Sequence, residues 1–167
     1  MSGSLVIGGQ LGNYMIESVV GRGGMSVVYR AVHARLGTPV ALKVLAPELS
    51  SDDAFRARFL REAKMAAGID HANVIPIYDT GLHEDSLYIV MRYVAGGDLK
   101  TLLSSSGSLE PEQAVAVLMP VARALDAAHT HGLVHRDVKP ANVLLQRSPS
   151  GEIDHVYLSD FGVTKHV

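Results

Sequence analysis

The sequence contains no cysteine. Disulfides, thiolate zinc sites and cysteine nucleophiles are therefore excluded, and a reducing cytoplasm is the expected location. No apolar run approaches the roughly 20 residues that a membrane-spanning helix needs. Residues 1–11 hold a short apolar stretch without a positively charged leader, so we expect no signal peptide. These absences predict a soluble, cytoplasmic chain, although a later segment of a longer parent protein could still tether it to a membrane.

The sequence also has no excess of basic charge. Fifteen Lys and Arg residues stand against 17 Asp and Glu residues, which gives a net charge of -2 at pH 7. Without a basic run, neither nucleic acid nor an anionic membrane is expected as a partner. What the chain does have is 47% hydrophobic and 19% charged residues over 167 positions, which is typical of a globular domain with a sizeable core.

Short runs of branched and aromatic residues, separated by glycine-rich turns, predict an antiparallel sheet in the first half of the chain. The predicted strands are residues 14–20, 26–33, 40–45, 74–78 and 86–91. The connection before the last strand is expected to consist of Asp79-Thr80-Gly81 and a polar tip. A helical period from Asp52 or Asp53 to Gly68 predicts one helix, in which Glu62 lies on the apolar face.

The second half of the chain predicts helices and two short strands around a polar stretch at 146–154. A short helix is expected near 99–103. A long one is expected from Pro111 to His131, with Gly132 as its stop. Pro120 inside the long helix predicts a kink or a local break. The apolar face of this helix is predicted to comprise Val115, Leu118, Ala122, Leu125 and Ala128.

Two charged residues stand in apolar surroundings. Lys43 interrupts the apolar run at 40–45, and Glu62 lies on the apolar face of the first helix. Burying an unpaired charge is costly, so we expect these two side chains to pair. A purely structural ion pair is the alternative interpretation. Such pairs usually lie at the surface, which favours a functional role for this one.

The densest polar stretch lies at 133–145. His135, Arg136, Asp137, Lys139 and Asn142 fall within eight residues, and apolar residues flank them on both sides. Such a loop is a good place for chemistry. Eighteen residues beyond Asn142, the segment 160–162 adds a further carboxylate at the end of an apolar run. A plain polar loop with helix caps is the alternative, but it does not explain five polar residues at these spacings.

Three glycines, at positions 21, 23 and 24, lie between two of the predicted strands. A tight hairpin is the simplest interpretation. Glycines without side chains would also let backbone amides approach a phosphate closely.

Read in order, His135-Arg136-Asp137, Asn142 and Asp160-Phe161-Gly162 resemble the catalytic loop and the metal-binding segment of protein kinases. The resemblance implies an α+β, protein-kinase-like fold: an N-lobe with a five-stranded antiparallel sheet and one helix, followed by the first part of a mainly helical C-lobe, truncated after the DFG segment. The implied divisions are an N-terminal extension at 1–12, the N-lobe at 13–94 and a partial C-lobe at 95–167.

The resemblance implies ATP and Mg²⁺ as cofactors and assigns a role to each polar residue. Asp137 would accept the proton of the substrate hydroxyl, Lys139 would neutralise charge on the transferred phosphoryl group, and Asn142 and Asp160 would hold magnesium. Lys139 is what Ser/Thr kinases carry at this position. The remaining implied nucleotide-binding residues are Val20, Gly21, Arg22, Gly23, Gly24, Met25, Ser26, Val28, Ala41, Lys43, Glu62, Met91, Arg92, Val94 and Leu144.

Within that set, Lys43 would contact the α and β phosphates while Glu62 holds it, and Met91 would be the gatekeeper. Residues 92–94 would form the hinge, and Val28, Ala41 and Leu144 would be the apolar walls around the adenine. Arg136 would pair with a phosphorylated activation loop. Ser26 stands where the third glycine of the family's turn would be, and Arg92 where many relatives have glutamate.

The expected function is therefore that of a bacterial eukaryotic-like Ser/Thr protein kinase in signalling, with a protein substrate and the option of a homodimer through the N-lobe. A truncated or pseudokinase-type nucleotide-binding module without transferase activity stays open. The activation loop and later helices of the family would lie beyond Val167, and part of the long helix would then be left as an exposed apolar patch. A small-molecule phosphotransferase is the third option, against which Arg136 and Lys139 speak.

Overall fold

The structure is a computed structural model that describes residues 5–161. Two compact units divide the chain. The first comprises residues 5–64 and Pro76–Tyr93, and the second comprises Met65–Ile75 and 94–161. Within the described residues, no helix is long and apolar enough to cross a membrane.

The first unit is built on a six-stranded antiparallel sheet with the strand order β1-β2-β3-β4-β6-β5. The strands are β1 (Gln10–Leu11), β2 (Tyr14–Arg22), β3 (Ser26–His33), β4 (Pro39–Leu45), β5 (Ile77–His83) and β6 (Ser86–Arg92), and the helices α1 (Pro47–Ser50) and α2 (Asp53–Ala67) follow β4. All five predicted strands are present, with shifted bounds. The short strand β1 lies in the predicted N-terminal extension at 1–12 and adds a sixth strand to the sheet, beyond the five predicted for 13–94.

The hairpin between β5 and β6 differs from the prediction. The segment 79–81, predicted to begin the connection, lies inside β5, and the chain reverses at Glu84 and Asp85, within the polar tip that was predicted to follow. Both residues have left-handed backbones, with φ of 44° and 64°. A two-residue hairpin turn between right-twisted strands favours positive φ at both central positions. Glycine is the usual sequence signal for such a turn, and neither central position here is a glycine.

One face of the sheet carries an apolar core. Its buried members are Leu11, Tyr14, Ile16, Tyr29, Ala31, Val40, Leu42, Val44 and Val90. Side chains alternate along a strand, so Ala41 and Lys43 of β4 lie on the opposite face from Val40, Leu42 and Val44. The core thus decides which face of the sheet receives Lys43.

Helix α2 begins and ends where the sequence predicts. The Asp52 Oδ1 atom accepts hydrogen bonds from the amides of Ala54 (2.9 Å) and Phe55 (3.2 Å), which satisfies two amides of the first turn. Its buried residues recur at helical spacing: Phe55, Phe59, Glu62, Ala63 and Ala66. The prediction that Glu62 lies on the apolar face is confirmed.

The second unit contains α3 (Leu99–Ser106), α4 (Pro111–Thr130) and a hairpin of β7 (Val143–Arg147) and β8 (Ile153–Leu158). Helix α4 continues through Pro120, so it is not broken there. Helix α4 packs on β8 and buries Val117, Val121, Ala124 and Ala128, of which only Ala128 belongs to the predicted apolar face. Val115 and Leu118 are instead 59% and 57% exposed. This helix is apolar on two sides, and periodicity cannot choose between them.

Gly96 is held against β7 in the second unit. A methyl group at this position would overlap the backbone carbonyl oxygen of Leu145, and that oxygen cannot rotate away as a side chain could. By contrast, a methyl group at Gly24 would meet no atom within 4 Å. Gly96 therefore permits a close backbone approach that any side chain would disrupt.

We predict that Gly96→Ala lowers the free energy of unfolding by about 2–4 kcal/mol, because the backbone must shift to remove the overlap. Gly24→Ala, the matched control, should change it by less than about 1 kcal/mol. Urea unfolding followed by circular dichroism measures both. Equal stabilities of the two variants would contradict the close approach at Gly96.

Candidate active site

In the first unit, one sheet face gathers four of the predicted nucleotide-binding residues. In the sheet register Val28 is paired with Lys43, and Ala41 is paired with Met91. Directly paired residues of antiparallel strands project to the same side, and Ala41 and Lys43 lie two apart on β4. Val28, Ala41, Lys43 and Met91 therefore share the face opposite the apolar core. Three apolar side chains beside one ammonium group suit the flat base and the phosphates of a nucleotide.

Lys43 and Glu62 are both buried, with 5% and 7% of their surface exposed. Both engage in polar or electrostatic interactions within the folded chain. Charged groups this deeply buried are found where they have partners or a function. Their predicted pairing with each other stays a prediction.

The glycine-rich turn joins β2 to β3. The Gly23 amide donates a hydrogen bond of 2.8 Å to the Ser26 carbonyl and closes the turn. Methyl groups built at Gly21 or Gly24 would point into open space, so packing within the protein does not require glycine at either position. A phosphate group that approaches backbone amides closely needs such open space. The turn therefore fits the predicted nucleotide.

The remaining nucleotide-binding predictions are placed less decisively. Val20 and Met25 are 55% and 50% exposed. The Arg92 amide donates to the Pro76 carbonyl at 3.0 Å, so Arg92 could offer adenine only its carbonyl oxygen. Arg22 is exposed, and Val94 and Leu144 are half-buried residues of the second unit. The roles of all these residues stay predictions.

In the second unit, the polar loop holds the Asp137 carboxylate from two sides. The Lys139 Nζ atom donates to Asp137 Oδ2 at 2.7 Å, and Asn142 Nδ2 donates to the same oxygen at 3.3 Å and to the Asp137 carbonyl at 2.8 Å. A 3-10 turn at Pro140–Asn142 places the buried Asn142 under the loop. Asp137, Lys139 and Asn142 thus form one hydrogen-bonded cluster, which the structure brings together as predicted from the sequence spacing.

His135 supports this loop from inside. It is 1% exposed, its Nε2–H donates to the Ser159 carbonyl at 2.8 Å, and its Nδ1 accepts from the Asp137 amide at 3.2 Å. Burial lowers the pKa of His135, against the raising effects of the Ser159 carbonyl and the Asp160 and Asp137 charges. A neutral imidazole with the proton on Nε2 satisfies both hydrogen bonds.

Ser159 is the residue that the sequence reasoning missed. Besides accepting from His135, it donates to the Asn142 carbonyl through both its amide (2.9 Å) and its Oγ atom (3.1 Å). Ser159 thereby fastens the end of β8 to the loop that carries Asp137. The only signal in the sequence was a small polar residue at the end of the apolar run 156–158, directly before Asp160.

Asp160 follows Ser159 with a left-handed backbone, φ 63°, and Arg136 has φ 62°. This conformation costs a residue other than glycine about 1 kcal/mol or more. Phe161 is buried and its ring lies against that of His135, with centroids 4.7 Å apart. Asp160 is thus held at a fixed place, half-buried, next to the Asn142 loop. Gly162 lies outside the described residues.

No three His, Cys, Asp or Glu side chains within residues 5–161 form a cage for a metal ion. Magnesium is usually held by one or two carboxylates together with substrate phosphates and water, so a complete protein cage is not required. Asp160 and Asn142 supply a carboxylate and a carboxamide oxygen, which are hard oxygen donors. The residues present therefore fit a magnesium ion shared with a nucleotide.

The lowered pKa of His135 predicts a pH-dependent stability. The unfolded chain takes up this proton near pH 6.5, before the folded chain does, so protonation favours unfolding as the pH falls. We predict that the free energy of unfolding declines from pH 7.5 to pH 5.5 and that the decline is shallower in His135→Gln. Urea unfolding at the two pH values measures it. His129→Gln, which removes an exposed imidazole, is the control, and equal slopes in the two variants would contradict the assignment.

The model of the protein kinase domain family matches residues 14–167. The serine/threonine-protein kinase PknJ of Mycobacterium tuberculosis is 46% identical over 165 residues, covering 99% of this chain and 28% of that protein. PknH of the same organism is 42% identical over 157 residues, covering 94% of this chain and 24% of that protein. This chain thus spans about a quarter of the length of these curated relatives.

Solved structures agree with the sequence relatives. The crystal structure of the M. tuberculosis PknI kinase domain aligns with a TM-score of 0.85 at 36% identity, covering 97% of this chain and 63% of that chain. The α+β, protein-kinase-like fold that the motifs predicted is confirmed. The chain belongs to the protein kinase family, within its bacterial eukaryotic-like Ser/Thr group.

Proposed function

We propose that this chain carries the nucleotide-binding and catalytic residues of a Ser/Thr protein kinase, which transfers the γ-phosphoryl group of ATP to a protein hydroxyl with magnesium. The observation that supports this most strongly is the cluster of Asp137, Lys139 and Asn142, fastened through Ser159 to the segment of Asp160. Catalysis of phosphoryl transfer depends mainly on positioning and charge stabilisation. This cluster supplies the groups for both: a carboxylate, an ammonium group and two oxygens that can bind a metal ion.

Asp137 is the group that orients the acceptor. Its Oδ2 atom is held by Lys139 and Asn142, so the plane of the carboxylate is fixed. A fixed carboxylate can accept a hydrogen bond from the substrate hydroxyl, align its oxygen and take its proton as the new bond to phosphorus forms. Lys139, whose ammonium group is half-exposed, is placed to neutralise charge on the phosphoryl group during transfer.

The first unit supplies the contacts to the nucleotide. The glycine turn offers backbone amides and open space to the phosphates, and Lys43 offers a buried positive charge. Bound magnesium would neutralise phosphate charge, with Asp160 and Asn142 as its protein ligands. The rival interpretation, a nucleotide-binding module without transferase activity, would account for Lys43 and Asp160 but would leave Asp137, which acts on the acceptor hydroxyl, without a role.

The protein substrate, a homodimer through the N-lobe and a cytoplasmic location stay predictions from the sequence. They are properties of a whole protein, and this chain spans only about a quarter of the length of the aligned relatives.

We predict that Lys43→Met weakens binding of magnesium-ATP about tenfold, because the phosphates lose a buried positive charge. Isothermal titration calorimetry on the 167-residue chain measures the affinity. Lys100→Met removes an exposed lysine of α3 and should leave the affinity within about twofold. Equal affinities for the two variants would contradict the placement of Lys43 at the phosphates.

We predict that Asp137→Asn lowers phosphoryl transfer by about 10³-fold while magnesium-ATP affinity stays within about twofold, since the carboxylate acts on the acceptor hydroxyl. Transfer of ³²P from γ-labelled ATP to casein, by the protein encoded in the complete reading frame, measures it. Asp126→Asn, an exposed position of α4, is the control. Nucleotide binding without transfer above the Asp137→Asn background would favour the module without transferase activity.

A further inference from the structure

Three side chains of the first unit form a cluster that the proposed chemistry does not use: those of Glu17 on β2, Arg30 on β3 and Tyr93, which directly follows β6. The Arg30 guanidinium group lies over the Tyr93 ring, 5.3 Å from its centroid. Its Nη1 atom also forms an ion pair with Glu17 Oε2. The guanidinium group therefore connects two strands of the sheet to the residue two positions beyond Met91.

The sheet register places Arg30 on the face that carries the predicted nucleotide-binding residues. Arg30 is paired with Ala41 on β4, and Ala41 is paired on its other side with Met91 on β6. Directly paired residues of antiparallel strands project to the same side. Arg30, Ala41 and Met91 thus form one row across three strands, on the face opposite the apolar core.

An irregularity in β2 supplies the partner of the guanidinium group. Ile16 is paired with Ala31 and Ser18 with Arg30, so Glu17 is an additional residue on β2. Such a bulge redirects a side chain. The side chains of Arg30 and Glu17 are 36% and 40% exposed, so their ion pair adds little to stability. Its main effect is to orient the guanidinium group and to neutralise its charge.

Tyr93 is the middle residue of the segment 92–94, which is the predicted hinge. The Arg92 amide donates to the Pro76 carbonyl at 3.0 Å, which fixes the backbone directly before Tyr93. The Arg30 guanidinium group fixes the next residue through its ring, because a planar cation is attracted to an aromatic face. A segment that is ordered before adenine arrives loses less conformational entropy when it binds.

We propose that Arg30 is a positioning residue for the adenine end of the nucleotide: held by Glu17, it fixes Tyr93 and with it the backbone that would contact the base. Because Glu17 neutralises its charge, Arg30 does not add to the positive charge that Lys43 offers the phosphates. This inference rests on the proposed nucleotide site.

Two competitors separate the two ends of the nucleotide. Magnesium-ATP carries base and phosphates, whereas magnesium tripolyphosphate carries the phosphates alone. Each displaces a fluorescent ATP analogue from the 167-residue chain, after direct titration of the analogue with each variant. The variants are Arg30→Gln and Arg30→Lys. The matched control is Arg61→Gln, which removes an exposed arginine of α2 in the same unit.

We expect Arg30→Gln to weaken magnesium-ATP binding about threefold, the size of one half-exposed cation–π contact, and tripolyphosphate binding less than about 1.5-fold. Arg30→Lys keeps the charge but loses the planar group, so its affinity for magnesium-ATP should fall between those of the unsubstituted chain and Arg30→Gln. Arg61→Gln should leave both affinities within about 1.5-fold.

A double-mutant cycle tests whether Arg30 acts through Tyr93. Tyr93→Leu should itself weaken magnesium-ATP binding, and adding Arg30→Gln to it should cause little further loss, since the contact is already gone.

Equal losses for magnesium-ATP and tripolyphosphate would show that Arg30 only supports the fold of the first unit, and losses that multiply in the double variant would show that it does not act through Tyr93. Either result overturns the proposal. So does an Arg30→Gln variant that binds magnesium-ATP as Arg61→Gln does, although the proposed function then stands. If the unsubstituted chain binds neither competitor, the nucleotide site itself fails, and this inference fails with it.

Discussion

The buried imidazole of His135 is the contact on which the proposed catalytic loop depends. It joins two stretches that are separate in sequence, through the Ser159 carbonyl on one side and the Asp137 amide on the other, and its ring lies against Phe161. The residues directly after His135 and Ser159, which are Arg136 and Asp160, both have left-handed backbone conformations. Their backbone strain, about 1 kcal/mol or more each, is offset by hydrogen bonds that would otherwise be left unmade in a buried place.

The same constraint joins the segments that carry Asp137, Asn142 and Asp160. Ser159 binds the Asn142 carbonyl while its own carbonyl binds His135, so the loop and the end of β8 share one hydrogen-bond network. Within residues 5–161, no fully buried side-chain nitrogen or oxygen lacks a hydrogen-bond partner. A fully satisfied network holds one geometry, which phosphoryl transfer requires of its positioning groups.

The sequence predicted these groups well where polarity conflicted with its surroundings. Lys43 within an apolar strand, Glu62 on an apolar helix face and the polar loop around Asp137 were visible because burial of charge needs a reason. The alternation of side chains along β4 places Lys43 on the face opposite the core, but only the structure shows which face carries the core.

Other features were hidden because they depend on contacts between distant segments. The buried face of α4 was chosen by β8, since Val115 and Val117 are equally apolar. The turn at Glu84 and Asp85 carries no glycine to announce it. Ser159 is one small residue whose three hydrogen bonds all reach across the chain.

The state of His135 can be observed directly by ¹⁵N nuclear magnetic resonance of the imidazole nitrogens in the 167-residue chain. We predict a ring that is neutral at pH 7.5 with the proton on Nε2 and that takes up a second proton only at a lower pH than a solvent-exposed histidine does, because burial lowers its pKa. An imidazole that exchanges between tautomers, or that protonates near pH 6.5 as a solvent-exposed histidine does, would contradict the link between the catalytic loop and the Asp160 segment.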